Sequence, residues 1–138
     1  MSDVLADTHS VVWSLYDPGR LSPVAFTALT TASRSGRILI STITLVELVY
    51  LAGRRTFPYT GVLPRLYALL TNPAEPLEAL PLTLEVAQAL GRVPRAEVPD
   101  MPDRIIAATA VAHNLSLVSA DSDIQGSATL TSLVRVIW

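Results

Sequence analysis

Five short runs rich in leucine and branched residues punctuate this chain: "VLAD" (4–7), "RILIS" (37–41), "LEALPL" (77–82), "LSLVSAD" (115–121) and "LVRVIW" (133–138). Their length suits strands, and four of the five read as buried on both faces. Between them the apolar residues recur at helical spacing, predicting helices over roughly 9–16, 23–35, 44–55, 62–71, 83–92 and 102–114. Strands of this kind alternating with helices leave few solutions. The expected fold class is α/β, a central parallel sheet flanked by helices on both faces.

Local punctuation agrees with this reading. "SPVAF" offers Ser22 as an N-cap with Pro23 at the first helical position, and Gly36 stands where that helix must stop. Pro58, Pro64, Pro73 and Pro76 break up the middle, so residues 56–76 are expected to form a helical insertion or hairpin with irregular ends. No repeat, low-complexity tract or linker interrupts the 138 residues, which read as a single domain, 1–138.

Composition then excludes chemistry. There is no cysteine, which removes disulfides, thiolate nucleophiles and cysteine-ligated zinc together. There is no lysine either, all ten basic residues being arginine, which argues against P-loop nucleotide hydrolysis and Schiff-base chemistry. No run approaches the roughly 18 apolar residues of a membrane span, and no leader-like segment opens the chain, so a soluble, cytoplasmic protein is expected. A net charge of −2 implies no general affinity for nucleic acid but says nothing of local patches.

The twelve acids are few enough to weigh singly. Asp7 ends the first strand and Asp121 the fourth, while Glu47 and Asp103 are expected in the first turns of helices. In a parallel α/β sheet, strand carboxyl ends and helix amino ends share one edge, where ligands bind. Each acid also has a plain structural reading. "TLVE" (44–47) resembles a capping box, Asp100 or Asp103 suits the start of the 102–114 helix, and Asp7 and Asp121 suit turns. Jointly, carboxylates on one edge repel unless a cation compensates. An oxygen-only set suits Mg²⁺ or Mn²⁺, and such an ion supplies what phosphodiester hydrolysis needs: a polarised phosphoryl oxygen and an acidified water.

The order of these acids resembles a known family. "LADTHSVVWSL", "ISTITLVEL", "DMPDRIIAATA" and "LSLVSAD" are similar to the motifs of PIN-domain ribonucleases, and among them to the VapC toxins of toxin–antitoxin pairs. The resemblance runs from Asp7 to the terminal "VRVIW". It implies a PIN-like fold and places Asp7, Glu47, Asp103 and Asp121 as the acidic quartet that holds Mg²⁺ or Mn²⁺. Asp100 matches an additional acid of many relatives, although "DMPD" shifts the proline by one position from the family's Asp-Pro-Phe-Asp. Asp123 is a candidate assistant to Asp121. The implied activity is endonucleolytic hydrolysis of RNA leaving a 5′-phosphate and a 3′-hydroxyl. The implied partners are a VapB-like antitoxin and a second copy of the chain, with DNA reached only through the antitoxin. Two alternatives stand beside it: a non-catalytic PIN-like module that binds protein or RNA, and a metal-dependent phosphatase acting on small phosphoesters.

Thr8, Ser119 and Ser41 are candidate helpers that would hydrogen-bond the carboxylates or a metal water, though ordinary strand-end bonding explains each slightly better. His9 stands beside Asp7 at a helix start, and His113 at a helix end. Arg54, Arg55, Arg34 and Arg37 read first as helix-end charges, with RNA phosphates as the second reading. Arg104 fits either a rim ion pair or a substrate contact. Trp13 and Trp138 read as core or interface residues rather than base-stacking platforms, on the expectation that neither belongs to an aromatic-rich basic surface.

Overall fold

Strand β1 (Val4–Ala6) shows how the sequence builds two cores at once. Val4 and Ala6 point into the apolar cluster on one side of the sheet, and Leu5 between them points into the cluster on the other. Strand side chains alternate, so a strand buried on both faces must be apolar throughout. The same division holds for β2 (Ile38–Ser41), where Leu39 and Ile40 face opposite ways, and for β4 (Ser116–Val118), where Leu117 and Val118 do. Strands β3 (Leu77–Leu80) and β5 (Val136–Ile137) complete a sheet that is parallel throughout in the order β3-β2-β1-β4-β5. This computed structural model describes residues 2–138, and counts of elements refer to those residues.

Helices cover both faces. On one side α1 (Thr8–Tyr16), α2 (Pro23–Ser35) and α4 (Val62–Leu70) bury Val11, Val12, Leu29 and Leu66. On the other, α5 (Leu84–Leu90), α6 (Met101–His113), α7 (Ser122–Gly126) and α8 (Ala128–Leu133) bury Val86, Ile106, Ile124 and Leu130. Helix α3 (Thr42–Ala52) follows β2 directly and contributes Leu48 to the first cluster. The first three strands are laid down from the centre toward one edge, and β4 then returns to pair with the other side of β1. The carboxyl ends of β1 and β4 therefore flank the point where the winding reverses, the place where open α/β sheets bind ligands.

The caps explain most element starts. Ser22 accepts from the Ala25 amide at 3.1 Å with Pro23 at the first helical position, as its sequence predicts. Two local expectations are corrected. Helix α3 starts at Thr42, capped by Ser41, whose hydroxyl accepts from the Ile43 amide at 3.2 Å. "TLVE" is therefore not a capping box, and Glu47 falls in the second turn. Between the strand runs 115–121 and 133–138 no helix is expected, yet α7 and α8 form there, α8 reaching Leu133 and leaving β5 only Val136–Ile137. Their starts are fixed by Asp121 and Ser127, with Glu97 reaching across to accept from the Ser127 hydroxyl at 2.7 Å and the Thr129 amide at 3.0 Å.

Candidate active site

Three of the candidate acids are N-caps, and this is what aims them. Asp7 leaves β1 in an extended conformation and accepts from the Ser10 amide at 2.9 Å, Asp121 leaves β4 and accepts from Ile124 at 3.0 Å, and Asp100 accepts from Asp103 at 3.3 Å. Each cap uses one carboxylate oxygen and leaves the other free, and each sits at the positive end of a helix. The capping and site readings of these acids are thus compatible. Ser119 is buried and supports this arrangement by accepting from the Asp121 amide at 3.1 Å.

Glu47 and Asp103 are held differently. The Thr8 hydroxyl donates to Glu47 Oε1 at 2.6 Å and lies 3.1 Å from the Thr44 hydroxyl. A hydroxyl has one proton, so Thr44 donates to Thr8 and Thr8 to Glu47, a buried relay that fixes the glutamate. The carboxylate of Asp103 accepts no hydrogen bond from any described residue, but its backbone is clamped by its neighbour. Arg104 donates through Nε and Nη2 to the Val93 carbonyl, at 3.1 and 2.9 Å, and through Nη2 to Leu90 at 3.1 Å. Leu90 ends α5 and Val93 lies in the turn beyond it, so Arg104 ties the start of α6 to the end of α5. Of the two roles its sequence position offers, the rim ion pair is not formed among the described residues.

Asp7, Glu47, Asp100, Asp103 and Asp121 all line one cavity of about 430 Å³, with Thr8, His9 and Trp13 in its wall. Four segments far apart in sequence are brought together there. Ser119 lies behind Asp121 rather than in the cavity, and Asp123, exposed in the first turn of α7, is not in its wall. His113 is exposed in the last turn of α6, and Arg37 pairs with Glu78.

The electrostatic cost of this gathering falls on two acids. Burial, and then the charges of Asp121, Asp100, Glu47 and Asp7, push the Asp103 carboxyl up to about 8 from its ordinary 3.8. Burial also raises Glu47, partly offset by the Thr8 hydrogen bond. Anionic oxygens crowded in this way call for a hard cation, and the donor set, oxygen without sulfur, fits Mg²⁺ or Mn²⁺. As the side chains stand, no three His, Asp or Glu among the described residues are drawn in closely enough to hold one ion. Mutual repulsion and the capping bonds keep the carboxylates on the walls, and side-chain rotation is what would bring their free oxygens together.

Comparisons with known proteins agree with this geometry. The PIN domain profile matches residues 4–128. Ribonuclease VapC22 of Mycobacterium tuberculosis is 31% identical over 121 residues, covering 88% of each chain. Among solved structures, VapBC2 of Rickettsia felis bound to a fragment of promoter DNA superposes with a TM-score of 0.67 at 18% identity, covering 97% of this chain and 96% of that one. DNA-bound VapBC of Salmonella typhimurium gives 0.67 at 21%, covering 99% and 97%. FitAcB of Neisseria gonorrhoeae gives 0.60 at 24%, covering 96% and 95%. At these identities the solved structures establish the fold.

Proposed function

This chain belongs to the PIN-domain family, among its VapC ribonucleases, and from that membership we propose that it is a metal-dependent endoribonuclease, the toxin of a toxin–antitoxin pair. The observation that carries the proposal is the convergence of Asp7, Glu47, Asp103 and Asp121 on one cavity at the point where the sheet reverses its winding. These four would hold Mg²⁺ or Mn²⁺. Such an ion supplies Lewis acidity toward a phosphoryl oxygen and acidifies a water. The protein's own contribution is positional. Thr8 and Thr44 keep Glu47 aimed, Ser119 holds the turn that presents Asp121, and Arg104 anchors the helix that carries Asp103. Asp100, at the exposed start of α6, flanks the mouth as an outer acid.

The cavity also favours a diester over a monoester. No arginine lines it, so a phosphomonoester dianion would meet five carboxylates without a fixed counter-charge. An RNA phosphodiester, carrying a single charge, meets less repulsion. The proposed partners are single-stranded or looped RNA as substrate, a VapB-like antitoxin and a second copy of the chain. Exposed Val46, Val49 and Tyr50 lie three and four residues apart on α3 and support a protein contact on that helix.

The test uses Asp7→Asn and Asp103→Asn. Asparagine caps a helix as well as aspartate does, so Asp7→Asn keeps α1 while removing the charge. Each variant is expected to lower kcat/KM for RNA cleavage by more than about a hundredfold, beyond what loss of a merely supporting group costs. EDTA should abolish cleavage by the unaltered chain and Mn²⁺ restore it. Cleavage that survives either treatment overturns the proposal.

A further inference from the structure

Beside the acidic cavity, and sharing His9 and Trp13 with it, lies a second cavity of about 280 Å³ whose walls are chemically its opposite. Arg20, Arg54, Phe57 and Tyr59 line it. The Arg20 guanidinium lies over the Trp13 ring, 5.2 Å from its centroid, with its Nη1 3.5 Å from the Tyr59 hydroxyl. His9 stands against Trp13 at 5.5 Å between centroids, and Phe57 meets Tyr59 edge-on at 5.3 Å. Five of the eight aromatic residues of the chain, Trp13, Tyr16, Phe57, Tyr59 and Trp138, fall in this connected group. So dense a cluster, in a chain so poor in aromatics, makes this the one surface able to stack several planar groups.

Its arginines are uncommitted. Among the described residues the single ion pair is Arg37 with Glu78, so Arg20 and Arg54 carry charge that no protein carboxylate neutralises. Both are exposed. Free guanidinium groups over aromatic rings are the combination that holds single-stranded nucleic acid, rings and guanidinium planes stacking bases while the charge takes phosphates. The walls continue directly into the acidic cavity, which by itself repels a polyanion.

We propose that the Arg20–Trp13–Tyr59 cavity is a nucleotide subsite of the substrate RNA. A nucleotide flanking the scissile phosphate places its base against the Trp13, His9 and Arg20 group, and Arg54 pairs with a neighbouring phosphate. The subsite offsets the repulsion of the five acids and sets which phosphate reaches them. The inference rests on the endoribonuclease reading, and its test is chosen to fail separately from it.

The chain has two tryptophans, so Trp138→Phe leaves Trp13 as the sole reporter of indole fluorescence. With Asp103→Asn added to prevent cleavage, this protein is titrated with a short mixed-sequence single-stranded oligoribonucleotide, following Trp13 emission and, in parallel, anisotropy of a labelled copy. Saturable quenching is expected. Arg20→Ala and Arg54→Ala should each weaken binding by about fivefold to a hundredfold. Loss of a phosphate contact should also lower the slope of log affinity against log salt by about 0.7 in the Arg54 variant. Arg135→Ala, just before β5 at the amino-terminal end of the strands beside Asp3 and Val4, should bind unchanged. Binding without quenching, no binding at low salt, or unaltered affinity in both arginine variants overturns the subsite. So does a lowered melting temperature as their only effect, which would make the cluster a brace for residues 53–61. Quenching in a chain that cuts no RNA removes the nuclease reading and leaves the subsite; cutting without quenching does the reverse.

Discussion

The two cavities that meet at His9 and Trp13 are built on opposite electrostatic terms. In the acidic one, like charges are forced together by the strongest parts of the fold: strand ends, N-caps, a buried threonine relay and an arginine clamp. In the basic one, Arg20 and Arg54 lie outside the main helices, Arg20 on a 3-10 turn (Pro18–Arg20) where it stacks on Trp13, and Arg54 just past α3 with no ion pair among the described residues. The difference follows from what each must do. A metal site needs carboxylates fixed against their own repulsion, so its supports are buried and hydrogen-bonded. A surface that takes a flexible strand gains from side chains that adjust, and its charges need no holding because they do not oppose each other at close range.

The sharpest way to break that comparison is to cut a support on the acidic side. Thr8→Val keeps the volume and the buried methyl group but removes the proton donated to Glu47, which then loses the larger of the interactions that offset its burial. Loss of such a supporting partner typically costs about tenfold to a hundredfold in activity or metal affinity. The expected result is a fall of that size in RNA cleavage, partly recovered at high Mn²⁺. Unchanged kinetics would mean that Glu47 does not depend on the relay.

The next effect is structural. Arg104→Ala leaves the buried Val93 carbonyl without a partner, which costs about 1–3 kcal/mol, while the Leu90 carbonyl keeps the Val93 amide at 3.2 Å. Arg104→Lys should recover little of it, because an ammonium cannot reproduce the fork that reaches two carbonyls. On the other side, Arg20→Ala should shift stability by less than about 0.5 kcal/mol, having only the 3.5 Å contact to Tyr59 and its stacking to lose. Denaturant titrations of the three variants give the contrast directly, and equal losses at Arg104 and Arg20 would erase it.

The same contrast explains what the sequence could reveal. The strands and main helices are local patterns, and the acids stand at strand ends and helix starts where a parallel sheet gathers them, so both were legible. The α7–α8 segment was not, because its helices of five and six residues are too short to show a period and are held by caps, including Glu97 about thirty positions away. Glu47 was placed a turn too early because Ser41 and Thr44 both resemble caps. The one at the strand end prevails, since it lets the helix begin at once. The aromatic–arginine group was legible only in part. "RRTFPY" (54–59) already gathers Arg54, Phe57 and Tyr59. Its other members, Trp13, Tyr16, Arg20 and Trp138, come from the start and end of the chain, and only the fold sets Trp13 against Trp138 and Tyr16 against Tyr59.

A dependence of stability on pH also separates the two cavities. In the unfolded chain Asp103 titrates near its ordinary 3.8, whereas in the folded protein its carboxyl is pushed up to about 8. Below 3.8 both states hold the proton and Asp103 makes no difference to folding. As pH rises toward 8 the unfolded chain releases a proton that the folded chain retains, so stability falls across that interval and levels off above it. Glu97 acts in the opposite sense. The Thr129 amide and then the Ser127 and Thr129 hydroxyls lower its pKa, so its contribution is present above 4.5 and is lost as pH falls through the depressed value. Melting curves without divalent ions should therefore peak on the acid side of neutrality. Asp103→Asn should flatten the descent toward pH 8 and melt higher than the unaltered chain there, while losing activity. Glu97→Gln should lose the contribution that the carboxylate makes above 4.5, so its profile lies below that of the unaltered chain there and converges with it on the acid limb. Mg²⁺ should raise the melting temperature of the unaltered chain more at pH 8 than at pH 5, because only the ionised carboxylates bind it, and should do much less for Asp103→Asn. Arg54→Ala should reproduce the unaltered profile, since the basic cavity stores no such tension. Parallel profiles for Asp103→Asn and the unaltered chain would show that the acids are not in conflict, and the opposition between the cavities would fall with that result.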